Sequence, residues 1–139
     1  MIRRLLKRLA GERGQSLVEF ALVVPIFLVL LFALVDFGRG FQAWIEVTNA
    51  AREGARVGAL HGTAAEIETR ARAAAGSLNQ GNLSISATNA GGTPGSSVIV
   101  AANYSFSLIS PLAPMIGVIS GGAISETFVI TSSADMRIE

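Results

Sequence analysis

The chain has 139 residues, half of them apolar, with a positive mean hydropathy; that length suffices for one small domain and a membrane anchor, not for two cores. It has no cysteine, which excludes a disulfide framework and thiolate metal sites. The net charge of +1 hides an asymmetry: Arg3, Arg4, Lys7, Arg8 and Arg13 stand against Glu12 in residues 1–14, while the rest carries 6 basic and 9 acidic side chains, so nothing beyond the N-terminal end suggests a nucleic-acid surface.

Residues 20–35, FALVVPIFLVLLFALV, carry no charge. As a helix they span roughly 24 Å, and Leu17, Val18 and Phe37 extend them toward the roughly 30 Å of a hydrocarbon core. A helix apolar all round has no place inside a 139-residue domain, so a single transmembrane segment is expected over 15–37. Five basic residues precede it and Arg39 alone follows closely, which places the N-terminus in the cytoplasm and exports the remainder. A cleavable signal peptide fits less well. No small-x-small site follows the apolar run, and Glu19 lies inside its start, where a carboxylate costs roughly 2.5–3.5 kcal/mol if it reaches the bilayer centre.

Gly14 stands five residues before Glu19, between a basic leader and an apolar helix. This is the pattern of type IV pilin-like precursors. The run RGQSLVEFALVVPIFLVLLFALVDFGR and the following NAAREGARVGAL resemble the TadE-like family, the pseudopilins of the tight-adherence (Tad, Flp) pilus system. The features carrying the resemblance are Gly14, Glu19-Phe20, Pro25 and the Ala50-Ala51-Arg52-Glu53-Gly54-Ala55-Arg56 block. The closing Thr131–Arg137 is also similar, whereas residues 61–130 match only in general layout. The resemblance implies a prepilin peptidase cutting between Gly14 and Gln15, which removes a 1–14 leader. It further implies that Glu19, with Phe20, serves assembly: the carboxylate of one subunit offsets the new α-amino charge of a neighbour, since either charge buried alone is costly. The partners implied are the bilayer, the peptidase, other pilin or pseudopilin subunits and the pilus assembly platform.

Pro25 removes a backbone N–H and is expected to kink or loosen the membrane helix, and Gly38 and Gly40 form a second weak point near the anchors Phe37, Phe41 and Trp44. A stalk helix follows over 38–61. Ala50, Gly54 and Gly58, and beside them Ala51, Ala55 and Ala59, line up at spacing four; with Val47 and Trp44 they make one small-residue face, opposite Arg52, Arg56, Glu53, Glu46 and Asn49. Such a face admits close backbone approach, either by the chain's own sheet and second helix or by a neighbouring subunit. Glu53 and Arg56 can pair along the helix.

Residues 62–139 form the exported domain. Thr63 and Glu66 make a capping box for a second helix ending near Gly76. Strands are expected over 82–88, 97–108 and 126–133, with a turn-rich loop at 89–95. The apolar 111–119 stretch, with two prolines, is a short helix or an excursion packed on the sheet. The fold class is therefore α+β: a long N-terminal transmembrane and stalk helix, a shorter helix and a small antiparallel three-stranded sheet.

No catalytic constellation stands out. His61 is the sole histidine and follows a helix end; Asp36 and Asp135 are the sole aspartates and lie far apart; no phosphate loop, metal spacing or nucleophile motif is present. No cofactor, metal, nucleic acid or small-molecule substrate is expected. The sequence reads as a structural assembly protein. The alternative is an uncleaved, membrane-anchored envelope protein with an exported binding module, and Glu19 argues against it because a plain anchor has no use for a carboxylate at that depth.

Overall fold

One helix, α1 (Glu12–Ala59), accounts for 48 residues and about 72 Å of length in a computed structural model that describes residues 12–111, 114, 117, 118, 120, 121 and 127–139. Residues 1–11 of the expected 1–14 leader, most of the 111–119 stretch and the expected strand start at Glu126 lie outside the described residues. The helix continues through Pro25, and it also continues through Gly38 and Gly40, where a weak point was expected. It closes at His61, whose φ of 62° is left-handed, with the Gly62 N–H donating to the Val57 carbonyl at 3.0 Å. A Cβ at Gly62 would lie 2.5 Å from the Val57 side chain, so glycine is needed there.

Helix α2 (Ala64–Ala74) begins with the capping box read from the sequence. The Thr63 N–H donates to Glu66 Oε2 at 2.8 Å, the Thr63 hydroxyl donates to the same oxygen, and the Glu66 N–H donates to Thr63 Oγ1 at 3.3 Å. The Thr63 backbone and hydroxyl donors hold the exposed Glu66 carboxyl below its usual range. The helix stops two residues before Gly76. Arg72 then joins α2 to the sheet by donating to the carbonyls of Gln80 at 3.1 Å and Leu83 at 3.0 Å.

Strands β1 (Leu83–Thr88), β2 (Ser97–Ser107) and β3 (Thr127–Arg137) form an antiparallel sheet in the order β1-β2-β3. The register runs from Leu83↔Tyr104 to Thr88↔Ile99, and from Ser97↔Arg137 to Ser107↔Thr127. The β1–β2 loop turns at Asn89 (φ 62°), whose side-chain amide donates to the Ser97 carbonyl at 2.8 Å. β3 continues to Arg137, four residues beyond expectation. Its tail is rich in small and polar residues with a weak alternation, and pairing with β2 carries it on.

The sheet is one-sided. Val98, Val100, Ala102, Tyr104 and Phe106 of β2 are buried against the helices, while Ser84, Ser86, Ser105, Thr131 and Ser133 are exposed on the other face. β2 runs antiparallel to α1, so Val98 meets Gly58 and Val100 meets Gly54, while Phe106 meets Gly40. Ala50, Ala51 and Ala55 are fully buried in the same contact, and Ile67 and Ala71 of α2 close it from the side. The small-residue face therefore packs within the chain, with Ala43 instead of Trp44 on its buried side; Trp44 is about half exposed. Glu53 pairs with Arg56 at 3.8 Å and, across the helices, with Arg70 at 3.0 Å; these partly exposed pairs contribute roughly 0–1 kcal/mol each.

A Cβ on Gly58 would stand 2.8 and 3.0 Å from the two methyls of Val98. Gly58→Leu is expected to cost about 2 kcal/mol through overpacking, despite leucine's better helix propensity. Val98→Ala placed in the same chain is expected to return part of that loss, giving a coupling of about 1 kcal/mol in a double-mutant cycle of urea unfolding in detergent micelles. Additive effects would mean that the contact is not made.

Candidate membrane and assembly interface

The N-terminal half of α1 stands clear of the domain. None of its hydrophobic window is buried within the chain, and it is the one candidate membrane span among the described residues. Leu17, Phe20, Leu22, Ile26 and Leu30 are each more than half exposed. A helix apolar on every side and exposed on every side requires lipid or other helices around it.

Gly14 and Gln15 lie inside the first turns of this helix, and Glu19 is exposed one turn later. The Gln15 side-chain amide donates to Glu19 Oε1 at 3.3 Å. Among the described side chains no lysine or arginine pairs with Glu19. Phe20 beside it is also exposed. The expected assembly residues thus lie together near the start of α1, about 60 Å along it from the Gly58 packing contact.

A second polar group sits where the span meets the domain. Asp36 is buried, and both carboxylate oxygens are occupied. Oδ1 accepts the Ile109 N–H at 3.2 Å and Arg39 Nη1 at 3.4 Å; Oδ2 accepts the Ser110 N–H at 3.4 Å and the Ser110 hydroxyl. Arg39 also lies over the Phe106 ring, 5.3 Å from its centroid. This clasp fastens the chain just after β2 to the end of the membrane segment. From the sequence Asp36 stands out only as one of two aspartates too far apart to suggest a catalytic pair. The available signal was a lone acid at that boundary with Arg39 one turn on; its partners are 73 and 74 positions away.

Beside the clasp is an open groove of about 520 Å³ between α1 and the β2–β3 pair. Ala33, Phe37, Gly40, Phe41 and Trp44 form its helix wall, and Phe106, Leu108, Phe128 and Ile130 its sheet wall. Phe41 and Trp44 pack with ring centroids 5.7 Å apart. The Asp36 carboxylate also borders it, with its lone pairs already used.

Residues proposed for no chemistry are dispersed. His61 is exposed in the turn after α1, and Asp135 lies opposite Ile99 at the far end of the sheet from Asp36. Among the described residues there is no group of three or more histidine, cysteine, aspartate or glutamate side chains placed to hold a metal ion.

The family model of the TadE-like proteins matches residues 14–56, the stretch from Gly14 through the membrane segment to Arg56. Comparisons with curated proteins and with solved structures find no match to the chain.

Proposed function

We propose that this chain is a minor pilin or pseudopilin of a Tad (Flp-type IV) pilus, on the match of residues 14–56 to the TadE-like family model and the hydrophobic N-terminal helix they form. It is made as a precursor, cut by a prepilin peptidase between Gly14 and Gln15, and held in the bacterial inner membrane with its N-terminus inside and its sheet domain exported. Pilus biogenesis and surface adherence depend on it. It works with other pilin or pseudopilin subunits and the assembly platform, and its role is structural, as in the family.

The observation that carries this reading is Glu19: an exposed carboxylate without a cationic partner among the described side chains, at the start of a helix otherwise built for lipid. A free α-amino group on Gln15 of a neighbouring subunit is the compensating charge that cleavage would create. Because the small-residue face at Ala50–Gly58 is occupied within the chain, lateral contacts fall to the segment before Asp36. There Pro25 deprives the Ala21 carbonyl of its intrahelical donor and offers a place for the helix to loosen as a subunit leaves the bilayer.

The test is the mature N-terminus, determined by mass spectrometry from cells with and without a prepilin peptidase. A chain beginning at Gln15 is expected with the enzyme and the uncut precursor without it. Met1, or any common site in both strains, would overturn the reading in favour of a permanent anchor carrying a binding module.

A further inference from the structure

We propose that the clasp end of the sheet domain is a second membrane-contact surface, resting in the headgroup layer with lipid acyl chains filling the groove beside α1. The inference rests on α1 spanning the bilayer, and three observations carry it.

The first is height. Taking Leu17–Phe37 as the span gives 21 helical residues, or about 31 Å, enough for the hydrocarbon core. Asp36 then lies at the hydrocarbon boundary. Its carboxylate holds the Ile109 N–H at 3.2 Å, which fixes the end of the domain at the same depth. Phe106 touches Gly40, about 6 Å further along the helix, and Phe128 is its register partner on β3. The headgroup layer on each side of a bilayer is about 5–8 Å deep, so this whole rim falls within it.

The second is where the domain exposes apolar side chains. Outside α1, six large hydrophobics are exposed among the described residues. Ile109, Phe128 and Val129 lie at the clasp end, and Val118, 83% exposed, belongs to the connection that leaves and re-enters the sheet there. Leu60 and Ile99 stand apart at the other end. A one-sided sheet whose outer face is mostly small or polar has little need of apolar residues concentrated at one rim unless that rim is out of water.

The third is continuity. The groove runs directly on from the lipid-facing side of the span, since Ala33 belongs to both. Phe37, Phe41 and Trp44 line its helix wall, and aromatic side chains settle at membrane interfaces. The ionic groups nearby are quenched: Asp36 is capped by three N–H and O–H donors, and Arg39 is paired with it. From Ala73 to Ser125 the sequence has no charged residue, and Glu126, next to β3, is the one charge in the β2–β3 connection. The occupant committed to is therefore lipid, not a second copy of the chain.

The chain lacks cysteine and has one tryptophan, which makes the test direct. Single-cysteine variants Leu28→Cys, Val129→Cys and Ile99→Cys, each carrying a nitrobenzoxadiazole label, are reconstituted as the full chain in phosphatidylcholine vesicles. The vesicles contain phosphatidylcholine spin-labelled either near the headgroup or deep on the acyl chain. The Leu28 label is expected to be quenched best by the deep nitroxide. The Val129 label is expected to lose at least half of its emission to the shallow one, Trp44, about 12 Å beyond Asp36 along α1, less than that label, and the Ile99 label less than a tenth. Quenching at Leu28 with Val129 no more affected than Ile99 would overturn the inference while leaving the span intact. No quenching at Leu28 would overturn both. A Val129 label that is unquenched by lipid but shifts to the blue as the protein-to-lipid ratio rises would show a second copy on this surface and also overturn it.

Discussion

Asp36→Ala is expected to release the sheet from the end of the membrane segment and to lower the stability of the domain by about 3 kcal/mol. The alanine leaves the Ile109 and Ser110 N–H groups without their acceptor, and an unmet buried donor costs about 1–3 kcal/mol. Asp36→Asn keeps one acceptor oxygen and should recover part of the loss. Urea unfolding in detergent micelles, followed by the fluorescence of Trp44 in the adjoining groove, measures the effect. Hydrogen exchange localises it: the amides of 109 and 110 should exchange faster while those of β1, at the far edge of the sheet, hardly change. An unchanged urea midpoint would mean that the carboxylate holds nothing.

Glu19→Ala is expected to be processed like the parent chain yet to be lost from pili. Removing one partner of a buried charge pair costs about 3–5 kcal/mol, which at about 1.4 kcal/mol per decade is a hundredfold or more in assembly. The measurement is the amount of the chain in sheared surface filaments relative to the membrane, alongside the N-terminal mass of the variant. Normal piliation would show that the carboxylate is not the assembly contact. An uncut variant would instead place Glu19 in recognition by the peptidase.

These two acids differ in how far the sequence reveals them. Glu19 is conspicuous by local context alone, a charge within a run of lipid-soluble residues behind a basic N-terminal stretch. Asp36 is not, because its meaning comes from Ile109 and Ser110, and no periodicity of 2 or 3.6 reports a contact between positions more than 70 residues apart. The same division holds for the fold. The Thr63–Glu66 box, the three strands and the turn after Thr88 are local patterns, and they stand where those patterns place them. The tail of β3 has little pattern of its own and is a strand because β2 is beside it. The face bearing Ala50, Gly54 and Gly58 is plain from spacing, but its occupant is not, since a small-residue row fits a neighbour's helix as well as it fits Val98 and Val100. Trp44 sits at the margin of that row, where the 100° step leaves its direction open; Ala43 takes the inner position.

The unbroken α1 has a mechanical consequence. β2 runs antiparallel to it and β3 parallel to it, with contacts spread from Asp36 to Ala59, where the Glu139 N–H donates to the Ala59 carbonyl at 3.1 Å. A tug along the helix axis therefore loads the joint in shear, and Phe106 on Gly40, Val100 beside Gly54, Val98 beside Gly58 and the Asp36 clasp must all slip together. A sideways force on the rim at Ile109 would peel the same joint open one contact at a time, beginning with the carboxylate. The axis along which a subunit would be drawn from the bilayer is thus the one along which this joint yields last.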